Sequence, residues 1–267
     1  MKRVFCIALL IFTLAAVTGT AQAQVPDQRH AHIRLIPETT DAGPGWPIYI
    51  AIEQTLDPGW HSYWINPGDS GEPMRVKWAL PEGFAAGPLK WPTPKKIAVG
   101  PLTSFGYEDK AIFLQEIGVP WELPEGPVTL RADIDILVCS EICIPETCSY
   151  EITINVPGEA QDNAAVIDAA YEHLPSPYPF NVTFWEETGR LFLSFDVALY
   201  SMLSTNMKAG TSFALMPDEW GLVNNAAEAK IDMLADQRTV IVSQERGDRS
   251  LDGFKDITAI LGYTDFD

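Results

Sequence analysis

Residues 127–156 read PVTLRADIDILVCSEICIPETCSYEITINV, two alternating runs on either side of three cysteines. In the first run Ala132, Ile134, Ile136 and Val138 share one face of a strand, and Asp133 and Asp135 share the other. Ile152, Ile154 and Val156 resume the alternation after Cys148. A period of two marks a half-buried strand. Two such runs predict a hairpin, with Val138 to Cys148 at its mouth.

The same pattern extends outward. His30 to Ile36, Trp46 to Gln54, Val76 to Leu80 and Lys110 to Val119 read as further strands. Asp57-Pro58-Gly59 and Pro81-Glu82-Gly83 are turn signals between them. Short strands separated by turns every 8–12 residues point to a β-sandwich. Beyond residue 157 comes a polar stretch, PGEAQDN, read as a linker. Asn163 to Leu174 places Ala164, Val166, Ile167, Ala170 and Tyr171 at helical spacing. Asn181 to Glu186, Arg190 to Asp196, Thr211 to Met216 and Arg238 to Ser243 then alternate again. The expected fold class is all-β: two tandem β-sandwich domains, residues 24–157 and 165–267. A linker at 158–164 and a short helix mark the junction.

The N-terminus reads as an address. Met1-Lys2-Arg3 is basic, residues 4–17 are apolar, and Ala21-Gln22-Ala23 is a small-x-small cleavage pattern. The apolar stretch is shorter than the roughly 20 residues of a membrane span. Residues 1–23 are therefore expected to be a cleaved signal peptide, with the mature protein soluble in the periplasm. The chain carries 18 Lys and Arg against 36 Asp and Glu, a net charge of −18. That balance argues against nucleic acid, whose phosphates require clustered cations. We find no glycine-rich phosphate loop and no spacing that supports a Ser-His-Asp triad.

Export places the cysteines in an oxidising compartment. Of the 4 cysteines, Cys6 would leave with the signal, so Cys139, Cys143 and Cys148 remain. In a straight strand Cys139 and Cys143 would stand about 13 Å apart, beyond disulfide reach. A turn at Ser140 to Ile142 would bring them together. Three readings stay open. A structural disulfide closing so small a loop contributes only about 2 kcal/mol. A tight pair also suits reversible exchange, since the second thiol stands ready to resolve a mixed disulfide. A metal site would use the three thiolates and His61, and copper(I) accepts such ligands. Glu141 and Glu146 beside the cysteines are expected to disfavour a thiolate. Trp60, Tyr63 and Trp64 form an aromatic set that packs the sandwich end or walls the cysteine site, and Asn66 to Gly71 after it reads as a turn-rich loop. His30 and His32 share a strand face, a weak hint of copper or zinc.

Several motifs, in order, carry a resemblance. They are Trp60-His61-Ser62-Tyr63-Trp64-Ile65-Asn66-Pro67-Gly68-Asp69-Ser70-Gly71, Leu80-Pro81-Glu82-Gly83, Trp91-Pro92-Thr93-Pro94, Phe105-Gly106-Tyr107-Glu108 and Val138-Cys139-x3-Cys143-Ile144-Pro145-Glu146. Together they resemble the N-terminal periplasmic domain of the thiol:disulfide interchange protein DsbD, in the variant of the copper-sensitivity suppressor ScsB. The resemblance implies that the first sandwich is immunoglobulin-like and that Cys139 and Cys143 are its redox pair. It implies an aromatic cap over that pair, matched by Phe105 in a Thr103–Tyr107 loop, with Tyr107 competing for the role. By their own chemistry and position, independent of the resemblance, His61, Trp64, Glu141 and Glu146 are read as shielding or tuning residues of the pair. No cofactor is implied. The implied partners are a membrane electron donor on a separate chain and disulfide-containing periplasmic proteins. In better-known DsbD proteins the pair is spaced Cys-x5-Cys and acidic residues precede the cap; here the spacing is x3, and Thr103 and Ser104 stand there.

Overall fold

The computed structural model describes residues 29–155, 163–177, 182–196, 212–236 and 238–264. The predicted signal peptide, Val156 and linker residues 158–162 lie outside the described residues. The two alternating runs become β9 (Val128–Cys139) and β10 (Cys143–Ile154). They pair antiparallel from Val128↔Ile154 to Cys139↔Cys143, the predicted hairpin. On the other side of β9, β3 (His61–Gly68) pairs at the cysteine end, His61 opposite Cys139. β4 (Arg75–Ala79) pairs with β9 further along, from Asp135 to Arg131. β7 (Leu102–Glu108) and β6 (Lys95–Val99) complete the sheet in the order β10-β9-β3-β7-β6.

A second sheet runs β1 (Ala31–Pro37), β2 (Ile48–Leu56), β8 (Lys110–Gly118), β5 (Ala85–Lys90). Between the two sheets lie Ile33, Ile52, Phe113, Ala132, Ile134, Ile136 and Val138, all buried. The expected inward face of β9 is thus the core face, because the period of two delivers all its apolar side chains to one side. The helix, α1 (Ala164–Glu172), covers the outer face of the second sheet. Its Ile167 and Ala170 are buried with Ile36, Ala51 and Leu114.

The remaining strands form two more antiparallel sheets. One is β11 (Thr183–Glu187), β12 (Arg190–Asp196), β15 (Thr239–Glu245), β14 (Lys230–Met233). The other pairs β13 (Ser212–Pro217) with β16 (Ala259–Thr264). Leu191, Leu215, Val223, Val240 and Val242 are buried together between them. This part of the chain is joined to the first through a buried contact, among others. Met216 enters the core that holds Trp64 and Phe105, with Ala214 and Ile260 packed against it. The buried Asn66 amide donates to Pro217 O at 2.7 Å.

All-β architecture with one short helix among the described residues matches the expected class. Two local expectations change. The stretch Thr103–Tyr107, expected as a loop, is strand, inside β7. Trp60 to Gly68, expected as an aromatic set running into a turn-rich loop, is mostly β3. In both stretches cross-strand pairing outweighs the local signals of Gly106, Pro67 and Gly68.

Candidate functional site

Cys139 ends β9, Cys143 begins β10, and only Ser140, Glu141 and Ile142 lie between. The turn is closed by Ser140 N–H donating to Ile142 O at 2.9 Å. It brings the two Cα atoms to 4.1 Å, and the sulfurs form a disulfide. A close-facing cross-strand pair of this kind needs no further bending of the backbone. The two cysteines differ in exposure. Cys139 is buried at 2%, whereas Cys143 is exposed. Ile142 in the turn is 63% exposed, an apolar side chain standing beside the accessible cysteine.

Register decides what surrounds the pair. Cys143, Cys139, His61 and Glu108 stand in one row across β10, β9, β3 and β7. Side chains in a row share a face, and two residues along a strand the same face recurs. Tyr63 is therefore on the disulfide face, and its hydroxyl lies 4.0 Å from Cys143 Sγ. His61 Nε2 lies 3.2 Å from the same hydroxyl. Both rings are buried. Burial holds His61 below the usual imidazole pKa, with Glu108 opposing, and pushes the Tyr63 phenol up. At neutral pH His61 is uncharged and Tyr63 protonated, so the sulfur faces a neutral hydrogen-bond donor.

The same register takes Phe105, Tyr107 and Trp64 to the opposite face. Ser62 and Tyr107 are paired, and the Ser62 hydroxyl points across the sandwich to Gln54 Oε1 at 3.0 Å. Phe105 is fully buried in the core, edge-on to Trp64 at 6.4 Å. Tyr107 packs edge-on to Phe113 and donates to Pro92 O at 2.8 Å. The cover on the disulfide face is Tyr63, itself covered by the Asn66–Gly71 loop. A Cβ at Gly71 would lie 2.2 Å from the Tyr63 ring, at a φ of +106°. Only glycine lets the backbone lie flat on that ring.

Glu141 is exposed in the turn. Glu146 turns to the other side of β10, is buried, and accepts His30 N–H at 2.7 Å and Ala31 N–H at 3.2 Å. It ties β1 to the sheet instead of flanking the thiols. Cys148 is buried on that side too, and Arg29 Nη1 donates to its sulfur at 3.0 Å. Five strand residues from Cys143 and facing the other way, it stands apart from the disulfide. His30 and His32 both engage Asp57, each at 3.0 Å, and His30 stacks on Trp60 at 3.7 Å. Among the described residues no group of three or more His, Cys, Asp or Glu side chains gathers as a metal site. Sequence reading placed Tyr63 only in the aromatic set. Its position two residues after His61, on the same strand face, was the signal that singles it out.

The fold and site define a β-sandwich protein with one accessible and one buried cysteine in a hairpin disulfide. Residues 35–155 match the family model described as thiol:disulfide interchange protein DsbD, N-terminal. The resemblance read from the motifs rests on the same segment. Among solved structures, the chain is similar to the N-terminal periplasmic domain of ScsB from Proteus mirabilis. The TM-score is 0.58 at 18% identity, covering 89% of this chain and 90% of that one. That likeness extends past the family match and concerns the fold. No curated protein sequence matches the chain. Among the described residues no helix is long and apolar enough to cross a membrane.

Proposed function

We propose that this chain is a periplasmic thiol–disulfide exchange module. In this reading a signal peptide is removed after Ala23, and two tandem β-sandwich domains, 24–157 and 165–267, remain. The Cys139–Cys143 pair takes two electrons from a membrane partner of the DsbD or ScsB type and passes them to disulfides of exported proteins. The observation that carries it is the asymmetry of the pair: Cys143 is exposed beside a neutral donor, and Cys139 is buried behind it.

In loading, a donor thiolate attacks Cys143 Sγ. The Cys139–Cys143 bond breaks, a mixed disulfide forms, and Cys139 leaves as a thiolate that takes a proton. A second donor thiolate attacks the mixed disulfide and releases Cys143, which also becomes a thiol once protonated. Two electrons and two protons enter, and the donor leaves oxidised. In delivery, Cys143 attacks the partner disulfide and Cys139 resolves the adduct. With His61 protonated on Nε2, the Tyr63 oxygen accepts from His61 and its own proton points to Cys143. A donor so placed stabilises negative charge on the sulfur as it develops. Ile142 offers partners an apolar contact next to the reacting atom.

A redox titration tests the reading. The chain from Gln24 onward is equilibrated in graded dithiol buffers, alkylated and mapped by peptide mass. The expected result is a Cys139–Cys143 bond with a midpoint in the range of about −270 to −120 mV seen for carriers. A bond still oxidised below about −300 mV overturns exchange and leaves a binding protein with a static disulfide.

A further inference from the structure

The loop that covers Tyr63 is held from outside its own sandwich. Asp69, at its centre, accepts Thr103 N–H on Oδ2 at 2.7 Å and gives its own N–H to Thr103 O at 2.9 Å. Its other carboxylate oxygen, Oδ1, accepts Asn225 Nδ2–H at 2.8 Å. Asn225 belongs to the segment between β13 and β14 and is 6% exposed. The same segment is fastened a second time, because Lys96 Nζ on β6 donates to Ala226 O at 3.0 Å and Ala227 O at 3.2 Å. The start of the covering loop is fastened by Asn66, which donates to Pro217 O at the end of β13. Between these anchors stand Ser70, whose hydroxyl lies 3.4 Å from Ser104 Oγ, and Gly71, which lies on the Tyr63 ring. An unbroken set of contacts therefore runs from residues 217–227 through Asp69 and Tyr63 to Cys143.

We infer that Asn225 and Asp69 are positioning residues for thiol–disulfide exchange: the C-terminal β unit clamps the Asn66–Gly71 loop so that the Tyr63 hydroxyl stays on Cys143 Sγ. This rests on the exchange reading above and gives the C-terminal unit a part in it. The loop alone is a poor holder. Beyond the end of β3 at Gly68 only Asp69, Ser70 and Gly71 reach over the ring; Gly68 and Gly71 stand at positive φ, and the ring is covered by backbone and not by an interlocking side chain. Freed at Asp69, it would let the Tyr63 ring and hydroxyl move away from the sulfur.

The test reads the pH profile of Cys143 alkylation in the dithiol-reduced chain from Gln24 onward. Wild type, Asn225→Ala, Tyr63→Phe and the double variant are compared. Glu108 and Glu141, the carboxylates at that end of the sheet, and His61 are unchanged in all four. Loss of a hydroxyl donor to the thiolate raises the midpoint by on the order of one pH unit. The inference expects Asn225→Ala and Tyr63→Phe each to produce that rise, and the double variant to rise no further than Tyr63→Phe alone. A midpoint unmoved by Asn225→Ala, or additive shifts in the double variant, overturns it. Should Asn225→Ala fail to fold, Lys96→Gln loosens the same segment and carries the same expectation. The profile is measured on reduced protein, so it reads the clamp independently of the redox midpoint. A pair oxidised below −300 mV refutes exchange and still leaves the clamp to be scored.

Discussion

Reducing the Cys139–Cys143 bond should cost little stability. The bond closes a loop of three residues between its ends, and chain-entropy bookkeeping for a loop of about five gives roughly 2 kcal/mol. The hairpin it caps is already paired over twelve positions, from Val128↔Ile154 to Cys139↔Cys143. β9 is also held by β3 and β4, and its inward residues Leu130, Ala132, Ile134 and Val138 are fully buried. The disulfide therefore adds a small increment at one end of a ladder that stands without it. For a chain of this size, about 2 kcal/mol lowers Tm by roughly 4–8 °C. Urea melts and thermal scans of the oxidised and dithiol-reduced protein, followed by circular dichroism, measure the difference. The reduced protein should keep its far-ultraviolet spectrum and a cooperative transition. A loss above about 5 kcal/mol, or unfolding on reduction at 25 °C, would refute the reasoning. It would mean that the sandwich end depends on the bond, and a carrier must survive with its bond open.

Three further outcomes follow from the same geometry. Phe105→Ala should destabilise by about 3–5 kcal/mol in urea melts, because a fully buried core ring is removed; a mobile cap would lose under about 1 kcal/mol and change the exchange rate instead. His61 has its pKa lowered by burial, so near and below the ordinary value of 6.5 the unfolded chain binds a proton that the folded chain refuses. Its contribution to stability is present above about pH 6.5 and falls as pH drops toward the folded pKa, and His61→Phe should flatten that slope between pH 5 and 7. Glu146→Ala leaves the His30 and Ala31 amides without their acceptor and should cost about 1.5–3 kcal/mol, with hydrogen exchange rising at the start of β1; unchanged protection of Ala31 would sink that assignment.

Much of the frame was legible in the residues. The runs around Cys139 and Cys143 alternate so regularly that their inward face could be named residue by residue, and it is the core face. The helix over α1 and the strands β8, β12 and β15 likewise follow from period and turn residues. The site was half legible. Spacing allowed the two cysteines to meet only through a turn, and the motif set led to the family match at residues 35–155. What surrounds the sulfurs was not legible. Phe105 sits in an aromatic Gly-containing stretch that reads as a loop, yet pairing with β3 and β6 makes it a strand and sends its ring into the core. Glu146, three residues from Cys143, reads as a neighbour of the thiol and faces away from it.

Alternation and turn chemistry act over two to five residues, so the sequence by itself determined the regularly alternating strands, the hairpin and the all-β class, while β3 and β7 emerged only from pairing. Which strands lie side by side, and in what register, depends on contacts between distant residues. Only the tertiary structure decided that His61 stands opposite Cys139 and that Tyr63 reaches Cys143. It also decided that Asn225, more than 150 residues along the chain from Asp69, closes the loop above them. A slip of one residue in any of these pairings would turn every side chain of that strand to the other face. The chemistry of the pair is thus set by registers that no short stretch of the chain contains.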